Sequence, residues 1–252
     1  AHKAVLRLVR RYLQAGIMDG GIQTERHEGT PQGGPLSPLL ANVMLDEVDR
    51  ELERRGHKFV RYADDCNVYV KSMAAGHRVL AGLKRCYAKL HLVVNETKTA
   101  VAPVWRRKFF GYCFWISPSG KIRRDVAEAA IKRYRQRVRQ LTRRQTGRSM
   151  EQIAKALREF IPGWKAYFQL TQTPSTLREL DKWMRHRLRA IHLKHWCRGT
   201  TTFRELVKLG ATRDMAAQIA SSTRNWWRNS AQGLNRVLTM AYFDRLGVPR
   251  LC

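Results

Sequence analysis

Asp64 and Asp65 stand side by side between two short runs of strand-forming residues, Lys58 to Tyr62 and Cys66 to Lys71, which read as a hairpin. Adjacent carboxylates repel one another and call for a compensating cation; in a chain suited to phosphates that is a divalent ion with oxygen ligands, magnesium above all. Taken alone, such a pair is more often a polar turn, because Asp is a good turn former. The chemistry it could serve is two-metal nucleotidyl transfer, which needs carboxylates converging from rigid strands. One ion lowers the pKa of an attacking hydroxyl and the other neutralises the leaving pyrophosphate.

Two further places carry suitable groups. In Thr30-Pro31-Gln32-Gly33-Gly34-Pro35 the glycines let backbone approach a base or phosphate closely, and Gln32 can hydrogen-bond to it, although a tight turn before a helix explains the same glycines and prolines. Lys98 offers a mobile point charge suited to a triphosphate, or simply a solvated lysine. The five cysteines are widely spaced with no C-x-x-C pair, so neither a disulfide framework nor a zinc ribbon is expected. His192 and His195 lie near Cys197 in a basic run poor in acids, and no zinc is expected there.

The elements that must hold these groups follow from periodicity. Val5, Leu8, Val9 and Tyr12 predict a helix closed by Gly16, and residues 22–30 suit a strand. Ser37 can cap a helix with Pro38 at its first position and Leu40, Val43, Val48 and Leu52 on its apolar face, ending at Gly56. After the hairpin, Leu80, Leu83, Tyr87 and Leu90 predict another helix; strand-like runs follow over Leu92 to Val94 and Phe109 to Ile116, the latter turned at Ser117 to Gly120. Beyond Asp125 the pattern is helical. Ile131, Tyr134, Val138 and Leu141 form a narrow stripe among arginines; Ser149 and Gln152 form a capping box for a helix that Pro162-Gly163 is expected to interrupt; Pro174 opens a third. This is an α+β fold, antiparallel hairpins with packed helices followed by an all-α bundle, with a domain boundary near residue 122.

The 252 residues carry 48 Lys plus Arg against 20 Asp plus Glu, a net charge of +28. Such an excess destabilises a compact fold by self-repulsion unless a polyanion neutralises it, and nucleic acid is the obvious one. The excess lies mainly in the second half: residues 1–120 hold 19 basic and 11 acidic residues, residues 121–252 hold 29 and 9. No apolar run approaches the roughly 20 residues needed to span a bilayer and no signal peptide opens the chain, so no membrane partner is expected and a cytoplasmic place, in a bacterial interior or organelle matrix, is.

The segment Phe59-Val60-Arg61-Tyr62-Ala63-Asp64-Asp65-Cys66-Asn67-Val68-Tyr69-Val70 resembles the Tyr-Ala-Asp-Asp hairpin of retroelement reverse transcriptases. Gly29 to Asn42 is similar to the nucleotide- and template-contacting loop and helix of group II intron reverse transcriptases, Leu92 to Thr99 to their lysine block, and Phe109-Phe110-Gly111-Tyr112 to their primer-supporting hairpin. Phe160 to Phe168 and Leu180 to Arg189 resemble the maturase-specific thumb. The resemblance implies a partial palm over residues 1–121 and a helical thumb with C-terminal tail over 122–252. It implies that Asp64 and Asp65 are catalytic and bind Mg2+, with Mn2+ as a substitute. It further implies that Pro31, Gln32, Gly33, Tyr62, Ala63 and Lys98 contact nucleotide and template. Among the basic residues, Arg133, Arg137, Arg144, Lys165, Arg185 and Arg189 are expected to meet RNA, since Arg forks bind phosphates. The implied partners are intron RNA, an RNA template with DNA primer, and deoxynucleoside triphosphates. The oligomeric state is not legible.

Members of the family also carry a catalytic Asp on an earlier palm strand. Asp19, Glu25 and Glu28 follow the first helix and Asp46, Glu47 and Asp49 lie on the next, so none fits. The fingers and first palm strand are therefore expected to be absent, as is the HNH endonuclease region of some relatives, and the chain alone is expected not to polymerise. The leading function is an RNA-directed DNA polymerase and maturase. The alternative is a non-enzymatic splicing cofactor that binds intron RNA. A reverse transcriptase of another lineage, serving phage defence or diversification, is disfavoured by the thumb blocks.

Overall fold

The helical spacing from Val5 to Tyr12 produces α1 (Lys3–Gln14), none of whose residues is buried. The computed structural model of the chain describes residues 2–19, 22–24, 29, 33–143, 147–222 and 225–252, which group into two units, Ala1–Ala102 and Pro103–Cys252. In the first unit β1 (Ile17–Asp19) pairs antiparallel with β2 (Ile22–Thr24). The strand expected over 22–30 is seen to Thr24; residues 25–28 and Thr30 lie outside the described residues.

In α2 (Ser37–Arg54), Leu36 and not Ser37 stands at the N-cap. The Ser37 amide donates to the Gly34 carbonyl (3.2 Å), closing a turn that draws Leu36 into helical dihedrals one residue early. Leu45, Val48 and Leu52 are buried, whereas Val43 is exposed, because it lies about 200° round the helix from Leu45. β3 (Lys58–Tyr62) and β4 (Asp65–Tyr69) form the expected hairpin, and Ser72 caps α3 (Met73–Lys89) by accepting from the Ala75 amide. Phe59, Cys66, Val68, Leu83, Cys86 and Tyr87 close over the α2 face. Each buried aliphatic side chain there contributes about 1.5–3 kcal/mol.

Leu92 to Val94 is not a strand. The chain leaves α3 through a left-handed residue, His91 (φ 56°), and is gathered at once by the Asn95 side chain, which accepts from the Thr97 and Lys98 amides at 3.1 and 3.2 Å. With no neighbouring strand to pair, Val93 points into solvent, 97% exposed.

The second unit opens with a three-stranded antiparallel sheet, β5 (Lys108–Phe109), β6 (Tyr112–Ile116) and β7 (Ile122–Val126). The single strand expected over Phe109 to Ile116 is thus broken at Phe110-Gly111, both with positive φ, by a two-residue turn. Helices follow: α4 (Glu128–Leu141), α5 (Met150–Tyr167), α6 (Pro174–Trp196), α7 (Gly199–Lys208), α8 (Arg213–Ser221), α9 (Trp226–Gln232), α10 (Leu234–Val237) and α11 (Met240–Arg245). Tyr134, Val138, Ile153, Leu157, Ile161, Leu180, Met184, Leu188 and Ile191 form the centre of their core.

The Ser149–Gln152 capping box forms as expected, but Pro162 does not interrupt α5. The missing amide costs the helix about 3 kcal/mol, and burial of Leu157 and Ile161 along the helix and of Phe168 at its C-cap offsets it. The two units part at 102/103, whereas the sequence pattern suggests a boundary near 122. The physical reason lies in Val126, Ala130 and Phe168, one buried cluster with Tyr112, Ile131 and Trp164, which fastens the sheet onto α4 and α5. No helix among the described residues is long and apolar enough to cross a membrane.

Candidate nucleotidyl-transfer turn and basic helices

β3 alternates, so Phe59 and Arg61 share the inward face while Lys58, Val60 and Tyr62 face out. An inward arginine needs a carboxylate, and α2 supplies one. Arg61 Nε donates to both Asp49 oxygens (2.8 and 2.9 Å) and one terminal nitrogen donates to Asp49 Oδ2 (2.6 Å). The other donates to Asn42 Oδ1 and to the Ala63 carbonyl, each at 2.9 Å. Both partners are mostly shielded, with side-chain exposures of 12% for Arg61 and 21% for Asp49, and the Asp49 hydrogen bonds raise the guanidinium pKa further. Burial likewise raises the Cys66 thiol and pushes the Tyr87 hydroxyl up to about 12.

The clamp sets the turn. Tyr62 pairs with Asp65 as the last rung of the hairpin, and Ala63-Asp64 closes it, with Ala63 in the left-handed region (φ 51°) and its carbonyl held by Arg61. Asp64 and Asp65 both open to solvent. Among the described residues no group of three acids, histidines or cysteines converges, and the turn offers two adjacent carboxylates. That donor chemistry fits magnesium, which is bound by one or two carboxylates plus substrate oxygens. Arg61→Gln is expected to cost about 2 kcal/mol, the scale of a charge-assisted hydrogen bond. A urea midpoint unchanged from the parent would refute this, and Asp49→Asn added to it should cost little more.

Of the other expected contacts, Pro31 and Gln32 lie outside the described residues, and Gly33 takes φ 82°, a conformation that favours glycine. Lys98 closes the Asn95 turn, exposed, with Lys84 and Glu96 paired beside it at 2.6 Å.

Among the arginines the structure divides the expected set. Arg133 and Arg137 are exposed one turn apart on α4, and Lys165 is exposed on α5 with its ammonium on the Arg250 carbonyl (3.2 Å). Arg144 lies outside the described residues. Arg185 is not available to RNA: it is 1% exposed and ion-paired with Asp181 (2.8 Å) and Asp244 (3.4 Å). Arg189 is half-buried, donates to the Leu238 carbonyl (2.9 Å) and lies over Phe243; burial lowers its pKa. Both positions fall on the inner stripe of α6 with Leu188 and Ile191, a face that residue type alone hides. Arg139 and Arg187, outside the set expected to meet RNA, lie with Arg135 at 5.5–5.8 Å from the centre of the Trp183 ring.

Residues 2–114 match the family model described as reverse transcriptase (RNA-dependent DNA polymerase), and residues 131–210 match the group II intron, maturase-specific domain. Between them the two matches take in most of the chain, a reverse-transcriptase region followed by a group II intron maturase-specific region. Its reverse-transcriptase match takes in α2, the Asp64-Asp65 turn and the Phe110 turn, and its maturase-specific match begins within α4 and ends after α7. The chain is 43% identical over 54 residues to the group II intron-encoded protein LtrA of Lactococcus lactis subsp. cremoris, covering 21% of this chain and 9% of that protein. It is 46% identical over 48 residues to protein YkfC of Escherichia coli (strain K12), 19% of this chain and 13% of that one. It is 34% identical over 86 residues to the retron Ec86 reverse transcriptase of Escherichia coli, 32% and 27% respectively. The matches thus span about a quarter or less of these relatives.

Proposed function

We propose that this chain supplies the metal-binding turn and the RNA-gripping helices of an RNA-directed DNA polymerase that also binds group II intron RNA. The observation that carries the reading is the Asp64-Asp65 turn, solvent-open yet fixed to α2 through Arg61. Asp64 and Asp65 would hold magnesium, or manganese in its place. Held there, divalent ions would supply the charge that acidifies a primer hydroxyl and neutralises a departing pyrophosphate. Arg61 keeps the two carboxylates from swinging with the turn. Lys98 would set its charge against the triphosphate, Gly33 with Pro31 and Gln32 would admit the nucleotide close to backbone, and Tyr62 and Ala63 would border it. Arg133, Arg137 and Lys165 would meet RNA phosphates.

Two carboxylates are one short of a set able to hold two ions, which favours a second reading for the 252 residues alone: they bind RNA without extending a primer. Primer extension on an RNA template with magnesium, by the chain and its Asp64→Asn variant, with template binding scored in the same reactions, tests both. Binding without extension in either protein is the expected result. Extension by the parent that vanishes in Asp64→Asn would keep the polymerase reading and remove the second. Extension that survives in Asp64→Asn, or failure of both proteins to bind RNA, would overturn the proposal. The basic balance and the absence of a membrane-crossing helix among the described residues accord with work in the cytoplasm or an organelle matrix.

A further inference from the structure

The groove between α4 and α5 ends at the Phe110-Gly111 turn, where a cleft of about 410 Å³ opens to solvent. Its walls are aromatic: Phe110, Phe160, Trp164 and Tyr167. Arg133 and Arg137 stand on its rim, on the exposed side of α4. The walls are braced from behind. Tyr134 lies 4.7 Å from Trp164 and Trp164 lies 4.5 Å from Phe168, centroid to centroid, and the Tyr167 hydroxyl donates to the Phe110 carbonyl (3.1 Å). Nevertheless Phe110 and Tyr167 remain 39% and 55% exposed, so much of two large rings is left facing water.

We propose that this cleft receives one unpaired nucleotide of a bound RNA, its base against the aromatic wall and its flanking phosphates on Arg133 and Arg137; the inference rests on the RNA-binding part of the function proposed above. Three features favour this occupant over an apolar peptide. A planar base matches a flat ring wall and stacks on it whatever its sequence. The two guanidiniums are a turn apart on one helix face and neither forms an ion pair with a carboxylate among the described residues, so the rim carries positive charge that an apolar segment could not satisfy. And the chain's basic excess lies mainly in residues 121–252, which supply most of the cleft lining. Paired bases keep their faces inside the stack, so only a bulged, looped or terminal nucleotide could enter.

The test compares two RNA hairpins, identical except that one carries a single bulged 2-aminopurine, titrated with the full chain. Phe110→Asn is the informative variant: it removes the exposed ring at a backbone of φ 50°, which Asn adopts more readily than Phe, so the turn should persist. The parent should prefer the bulged hairpin about tenfold and quench its fluorescence, in keeping with one base stacked on an aromatic wall. Phe110→Asn should bind both hairpins as the parent binds the unbulged one, with no quenching. Arg133→Gln should weaken binding and reduce its dependence on salt. Equal affinity of the parent for both hairpins, or an undiminished preference in Phe110→Asn, would overturn the cleft assignment while leaving RNA binding in place. Failure to bind either hairpin would overturn the functional reading beneath it.

Discussion

Replacing Asp181 with alanine is expected to destabilise the second unit by about 3–5 kcal/mol, because it leaves a buried guanidinium without its main counter-ion. Asp181 and Arg185 are the most deeply buried ion pair among the described residues, with side-chain exposures of 3% and 2% and a contact of 2.8 Å. The remaining partner of Arg185, Asp244, is 3.4 Å away and already engaged by Arg250. Asp181 does a second job: its other oxygen accepts from the Leu251 amide (3.2 Å), which seats fully buried Leu251 at the end of the chain. Removing the carboxylate takes the acceptor from the Leu251 amide and leaves Arg185 with only the longer contact to Asp244. Urea denaturation followed by circular dichroism would measure the loss, and a change below about 1 kcal/mol would contradict the assignment. The double variant Asp181→Leu/Arg185→Met should recover much of the loss, since a buried pair exchanged whole for apolar side chains is often near neutral.

Acidification should weaken the same unit through His192. Burial, then the nearby charge of His195, push its imidazole down to about 4, against a partial opposing pull from Glu151. The ring lies among Trp196, Tyr242 and Phe243, and its Nε2 has no hydrogen-bond partner. An unfolded chain takes up this proton near pH 6.5, whereas the folded one resists it until about pH 4. The unfolded state therefore binds more protons between these values, and stability is full above pH 6.5 and falls as pH drops towards 4. The total from this residue is about 3 kcal/mol. Thermal melting between pH 7.5 and 4.5 should show a falling midpoint, and His192→Leu should flatten that slope. An identical slope in the variant would remove His192 as the cause.

The hairpin and the helices were legible because periodicity and turn chemistry are local. The arrangement that holds the site was only half legible. That Arg61 faces inward could have been read from its place two residues after Phe59, and an inward charge needs an opposite one. That the partner is Asp49, 12 residues earlier and on a helix, is a matter of packing, which no local pattern encodes. The same limit explains Arg185: among so many arginines, residue type favours RNA, yet its position four residues after Asp181 and one turn from Leu188 turns it into the core. Leu92 to Val94 has strand composition, but a strand also needs a neighbour, and composition does not supply one.

The union of Val126, Ala130 and Phe168 also bears on how such chains can be rearranged over time. A crossover that joined unrelated parents after residue 121 would separate β6 from the turn of α5 it leans on and leave Tyr112 without its acceptor, the Tyr167 carbonyl. One placed at 102/103 would move the three-stranded sheet together with its helices, hydrogen bonds intact. The seam at which such a chain could be exchanged with these contacts intact therefore lies ahead of the Phe110 turn, and the three-stranded sheet travels with the helices as one piece.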